Sequence, residues 1–264
     1  MRPKANVGDT LPRTLRLILQ YDGTDYVGWQ RQASGNSIQG LLEEALRPIE
    51  GGAVTVHGAG RTDAGAHASG QVASVRLGVS IEAARLVRAL NAVLPPEVRV
   101  AGGAVVPDDF HARFSATGKI YDYRIVNDRF VSPFLRRYVW HVGPSLDLEA
   151  MRGAALSLLG EHDFAAFQGT RSKVHTSVRT VRRIEWSGTG RADAPLVFTI
   201  EGDGFLRHMV RIIAGTLADI GAGRTSTTAM PEILASRARV RAGATAPASG
   251  LTLREVLYSH KIAP

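Results

Sequence analysis

The chain has 264 residues, 32 Lys and Arg against 24 Asp and Glu for a net charge of +8, and no cysteine. At one domain per ~150 residues this makes one or two domains, and 44% hydrophobic residues supply a core. The missing thiols exclude a disulfide framework, a thiolate zinc site and a catalytic cysteine, and no apolar run approaches the ~20 residues of a membrane-spanning helix.

Residues 1–12, polar and holding Pro3, Gly8 and Pro12, read as a loose, disordered tail. No apolar run follows its charges, so no secretory signal is expected and the cytoplasm is the expected compartment. Residues 15–21 alternate and then run apolar, which predicts a strand. Asp22-Gly23-Thr24 turns the chain. Ser37 as N-cap, with Ile38, Leu41, Leu42 and Ala45 at helical spacing, predicts a helix closed by Pro48. Short strands follow at 54–56 and 71–77, and a glycine-rich loop, 58–67, lies between them. Ser80 is expected to cap a helix running to about Asn91 and ended by Pro95-Pro96; residues 98–106 read as another strand. In the second half, 119–125 alternates as a strand and 128–133 is a turn region. Asp147 caps a helix over 148–159, ending at Gly160. Strands are predicted over 178–186 and 196–202, a helix from about Leu206 to Leu217, and a short helix from Pro231; the end is basic and rich in Ala and Gly. Strands and helices in each half give an α+β fold of two similar halves, 13–113 and 114–264, joined near 107–118.

The charge points to a polyanionic partner, because clustered cations neutralise phosphates and release counterions. Compositional drift is the ordinary alternative, since the cations are 28 Arg and only 4 Lys among many Ala and Gly. Arg suits planar phosphate and base contacts better than Lys does. The loop 58–67 packs three glycines, Arg61, Thr62 and Asp63 between two strands. It is either a tight connection whose Asp bonds its own backbone or a functional loop. A phosphate cradle fits poorly, since the spacing is neither Gly-x-x-x-x-Gly-Lys nor Gly-x-Gly-x-x-Gly. The eight histidines lack any close ligand pair. His67, His111 and His208 read as structural residues or contacts to the polyanionic partner, not as metal ligands.

Gly60-Arg61-Thr62-Asp63-Ala64-Gly65-Ala66-His67-Ala68, followed by Gly70-Gln71-Val72, resembles the catalytic signature of the tRNA pseudouridine synthase A family. Further segments match in order: Tyr21-Asp22-Gly23-Thr24, Gly28-Trp29-Gln30-Arg31-Gln32, Asn91 with Leu94-Pro95, and Asp108-Asp109-Phe110-His111-Ala112-Arg113-Phe114-Ser115-Ala116. Tyr121-x-Tyr123-x-Ile125, Gly160-x-His162-Asp163-Phe164 and Phe205-x-x-His208-Met209-Val210-Arg211 complete the series, which spans roughly 13–260. Ala66 stands where Val is expected, and Lys119-Ile120 where a basic pair is usual.

The resemblance implies ferredoxin-like or RRM-like halves with antiparallel sheets flanking a central basic cleft, in a cofactor-free homodimer. It implies conversion of uridine to pseudouridine at positions 38–40 of the anticodon arm of tRNA, with no membrane and no nucleotide cofactor. Asp63 matches the family's nucleophile, Tyr121 its active-site tyrosine, Arg61 the arginine tied to base flipping and Arg211 the partner of the aspartate. The chemistry agrees with these roles. The N1–C1′ bond must break and the base must rejoin through C5, chemistry that a carboxylate can serve as nucleophile or as base on the sugar. A stacked uridine must first be extruded, and Arg61 could fill the space it leaves. Tyr121 could stack on the flipped base or accept the C5 proton, although Tyr121 and Tyr123 share a strand face and at least one is expected to pack the core. A non-catalytic RNA binder and a phosphate-handling enzyme are the competing readings.

Overall fold

Alternation over 15–21 lies within β1 (Arg13–Tyr21), which inserts Leu15, Leu17, Leu19 and Tyr21 into the core. The computed structural model describes residues 12–143, 145–170 and 175–259, so the expected tail lies outside them apart from Pro12. The strand is flanked on both sides: β3 (His67–Leu77) pairs with it from Arg13↔Leu77 to Tyr21↔Ala68, and β4 (Val98–Val106) runs along its other edge. The short β2 (Val56–Gly58) pairs with β3.

The helices follow their caps. α1 (Ile38–Glu50) starts at Ser37, whose hydroxyl accepts the Gly40 N–H, and stops at Gly51 with φ 78°. Pro48 does not close it. The proline sits inside the last turn, costing one backbone donor, and the Gly51 N–H still reaches the Arg47 carbonyl at 2.9 Å. α2 (Ala83–Val93) begins after Glu82 without a side-chain cap, so Ser80 does not play the expected role. α3 (Leu148–Leu156) is capped by Asp147 as expected but ends before Gly160, whose φ of 95° opens β7 (Gly160–Asp163) instead. α4 (Met209–Gly221) starts later than expected because 206–209 form a turn, with the Met209 N–H bonded to the Leu206 carbonyl. α5 (Ala229–Ser236) carries Pro231 in its first turn.

Among the described residues, one ten-stranded, mostly antiparallel sheet holds these pieces, in the order β4-β1-β3-β10-β5-β9-β8-β7. Here β5 is Ala116–Val126, β8 Val178–Ser187, β9 Leu196–Gly202 and β10 Leu251–Tyr258, while the two-residue β6 (Trp140–His141) lies off the path on β5. β10 was not among the predicted strands. It sits at the centre of the sheet, parallel to β3 through Thr252↔His67 and Leu253↔Ala68 and antiparallel to β5 from Leu251↔Tyr123 to Tyr258↔Ala116. It thereby joins the N-terminal strands to the C-terminal ones. α4, apolar nearly all round, is buried beside β5 and α3. Among the described residues, no helix is long and apolar enough to cross a membrane.

Candidate active site

The link from β2 to β3, residues 59–66, is a loop held by its neighbours rather than by itself. Its entry is pinned where the Ala59 N–H reaches the Val72 carbonyl at 2.8 Å and the Gln71 side chain donates to the Gly60 carbonyl at 2.8 Å. Thr62 bonds the Tyr21 hydroxyl at 2.8 Å, and its carbonyl accepts the Trp29 N–H at 3.1 Å. Burial pushes the Tyr21 phenol up to about 12, against the hydrogen bonds from Thr62 and Gln71, so it serves here as a neutral hydroxyl. Gly28 is required at the crossing: its φ is 99°, and a Cβ there would lie 2.5 Å from the Thr62 carbonyl oxygen. At the exit the Ala66 N–H turns back to the Asp63 carbonyl at 3.1 Å. The loop therefore presents the Asp63 side chain from a fixed backbone.

The other wall comes from the start of α4. His208 adopts φ 61° and ψ 2°, a left-handed conformation that non-glycine residues rarely take. The chain swings there from β9 into α4. One turn later Arg211 donates through Nη1 to Asp63 Oδ2 at 2.7 Å and through Nε to the Ala246 carbonyl at 2.8 Å. Two bonds on one guanidinium leave it little freedom, and the pair is mostly sheltered from solvent. His208 Nε2 stands 3.5 Å from Asp63 Oδ1. Burial lowers the His208 pKa most, the Asp63 charge opposes, and Arg211, Arg207 and Arg239 add to the lowering. The ring next to Asp63 is therefore neutral at pH 7.

Tyr121 on β5 completes the surroundings. It is buried and meets Phe205 edge-on, with centroids 5.1 Å apart and planes at 84°. Burial pushes its phenol up strongly, and the charges of Tyr21 and Asp63 add to that. A Cβ on Gly60 would lie 3.2 Å from Lys119 Cε and 3.9 Å from the Tyr121 oxygen, so the loop backbone runs against both side chains. Tyr123, fully buried, donates to the Pro247 carbonyl at 2.8 Å. Both tyrosines of the strand thus lie in the interior.

Asp63 and Arg211, 148 residues apart in the chain, are in direct contact, and Tyr121 borders the same loop. Arg61 is set apart: its side chain is exposed, and Nε donates to Gln30 Oε1 at 2.9 Å. Sequence reasoning left His208 among structural or RNA-contacting residues, although its position three before Arg211 at a helix start put both on one face. The roles of Tyr21, Thr62 and Gln71 in fixing the loop were also missed; each lies in a quoted segment, Tyr21-Asp22-Gly23-Thr24, Gly60-Arg61-Thr62-Asp63 and Gly70-Gln71-Val72. Chemically the arrangement offers a carboxylate clamped by a guanidinium, with a neutral imidazole and a neutral phenol close by.

The profile of the family described as tRNA pseudouridine synthase matches residues 17–115 and 154–259. Over 246 residues the chain is 45% identical to a tRNA pseudouridine synthase A of Acetivibrio thermocellus, with 93% of this chain and 100% of that one covered. It is 48% identical over 248 residues to one from Myxococcus xanthus, covering 94% of this chain and 92% of the relative. A third, from Syntrophotalea carbinolica, is 44% identical over 245 residues, with 93% and 96% covered.

Proposed function

This chain belongs to the tRNA pseudouridine synthase family, and from that premise we propose that it isomerises uridine to pseudouridine in tRNA. The observation that carries the reading is the Asp63–Arg211 pair, a carboxylate on an immobile loop held by a doubly bonded guanidinium. The reaction breaks N1–C1′, forms C5–C1′, releases the C5 hydrogen as a proton and returns a proton to N1. Nothing is oxidised or reduced, so no cofactor is called for. Asp63 acts in the bond-breaking step, as nucleophile or as base on the sugar. Arg211 keeps its carboxylate aimed. Tyr121 lies against the extruded base and holds it beside Asp63. Arg61 leaves Gln30 and fills the space that the flipped uridine vacates.

The substrate site is the anticodon arm at positions 38–40, and the enzyme works in the cytoplasm. Residues 13–113 and 114–264 act as two related halves flanking a basic cleft. A homodimer then lets one tRNA bridge two subunits; a monomeric mass by light scattering at working concentration would contradict this. The reading is tested by incubating unmodified tRNA with the enzyme and mapping pseudouridine by carbodiimide derivatisation. New stops confined to 38–40 are expected. No stops in any tRNA would remove the function, and stops elsewhere would move the site.

A further inference from the structure

The turn linking β4 to β5 carries an aromatic surface that the isomerisation does not use. Phe110 anchors the turn from inside, its buried ring 5.2 Å from that of Tyr258. The Ser74 hydroxyl on β3 accepts the Ala112 N–H at 3.1 Å, and the Ala112 carbonyl accepts the Tyr258 hydroxyl at 2.7 Å. Within the turn, His111 Nδ1 accepts the N–H groups of Arg113 and Phe114 at 3.1 and 3.3 Å. Those two donors leave the ring proton on Nε2 and fix the plane of the imidazole.

Two more rings are assembled on this fixed one. His57, from β2, lies 4.9 Å away at 36°, and Phe114 lies 4.4 Å away at 33°. These are stacking separations. Nevertheless His57 is exposed, and Phe114 is 77% exposed, with the Arg113 guanidinium carbon 5.7 Å from its centre. Phe130 and Phe134 are exposed too, but among the described residues neither has a ring partner. An exposed ring held in a stack on pinned backbone is pre-organised for another flat group.

The surroundings select which flat group. His57 stands two residues before the catalytic loop, and the Lys119 chain lies against Gly60 of that loop. Arg113 and Arg179 both act electrostatically on Lys119, and Arg182 donates to the Thr117 carbonyl at 3.0 Å beside it. Cations therefore stand at both ends, Arg113 on the stack and Lys119 at the loop, with Asp203 the acidic group acting on Lys119, and this fits an anionic strand better than an apolar protein face. We propose that the His57–His111–Phe114 stack is a landing platform for one unpaired base of the RNA substrate, whose backbone runs past Arg113 and Lys119 towards the Asp63 loop. The proposal rests on the RNA-modifying reading above.

The test measures binding of an anticodon-arm hairpin carrying 2-aminopurine in its loop, for wild type, Phe114→Ala, Phe114→Trp and Phe134→Ala. Phe114→Ala is expected to weaken binding by about 5- to 150-fold, the worth of one stacked base, and to abolish quenching of the fluorophore. Phe114→Trp should restore both, and Phe134→Ala should match wild type. Unchanged affinity and quenching in Phe114→Ala would overturn the platform. So would a loss that Trp does not rescue, since damage to the turn would then explain it, or a wild type that does not hold the hairpin. A lower mass of Phe114→Ala with RNA affinity intact would mark the face as a protein interface and also overturn it. Binding is read without catalysis, so wild-type failure to make pseudouridine removes the isomerase reading while leaving this result to stand by itself.

Discussion

Arg211–Asp63 and Arg224–Asp219 are ion pairs of nearly equal length, 2.7 and 2.6 Å. The second links residues five apart at the end of α4, and its arginine side chain is 52% exposed. The first links the β2–β3 loop to the start of α4 across 148 residues, with side chains only 14% and 22% exposed. A local pair forms whenever its helix does and is worth little in water. The distant pair exists only after the whole sheet has closed. Its arginine leans on the Ala246 carbonyl, a few residues before β10, so the strand joining the two ends of the sheet also leads out of the segment that braces the site. Contact length alone says nothing of this; sequence separation, shelter and the second bond on the guanidinium do.

The comparison can be broken at either pair. The largest effect is expected from Arg211→Ala, which leaves Asp63 without its clamp and should lower kcat in pseudouridine formation by about 10²- to 10³-fold. Arg211→Lys should recover little, because an ammonium cannot serve Asp63 and Ala246 as a fork does. A variant that retained full kcat would sink the clamp. Gly28→Ala attacks the loop from beneath, forcing a Cβ towards the Thr62 carbonyl at positive φ. It should cost about 1–3 kcal/mol of stability, read as a lower Tm, together with reduced turnover.

A pH titration of stability sharpens the picture of how the loop's far end is held. His67 Nδ1 accepts the Gly23 N–H at 3.1 Å while its Nε2 meets the Arg137 carbonyl at 2.9 Å, a role for the neutral ring. Burial lowers its pKa, outweighing the charge of Asp22, so the unfolded chain takes up the proton more readily than the folded one. Stability should be full above the unfolded value of about 6.5 and should be lost as pH falls from there through the folded pKa. His111 and His208 are lowered too and add to the slope. His67→Gln should make the slope of unfolding free energy shallower below about pH 6.5 in urea titrations; an unchanged slope would show that His67 is not a contributor. The smallest effect belongs to Arg224→Ala, which should change stability by about 0–1 kcal/mol and leave turnover untouched.

What the sequence made legible was local. Alternation over 15–21 and the caps Ser37 and Asp147 act within a few residues, and their elements start at or near the expected places. β10 was hidden because its alternation breaks at a register shift between Leu253 and Glu255, and because its partners lie more than a hundred residues upstream. Pro48 misled because a proline in a final turn removes one bond without stopping the next. At the site, Asp63 stood out in its glycine-rich loop, whereas Arg211 is one of 28 arginines and was singled out only by the surrounding motif. The closeness of His208 depends on a left-handed backbone that no local pattern announces.

The central claim is that Asp63 carries out uridine isomerisation on tRNA. It is tested most directly by tritium release from tRNA labelled at uridine C5, with wild type beside Asp63→Ala and tRNA binding measured for both. Release by wild type is predicted, with at least about a 10³-fold slower rate for the variant and binding preserved within a few-fold. Release by Asp63→Ala at the wild-type rate, or none by wild type with tRNA bound, would contradict the account.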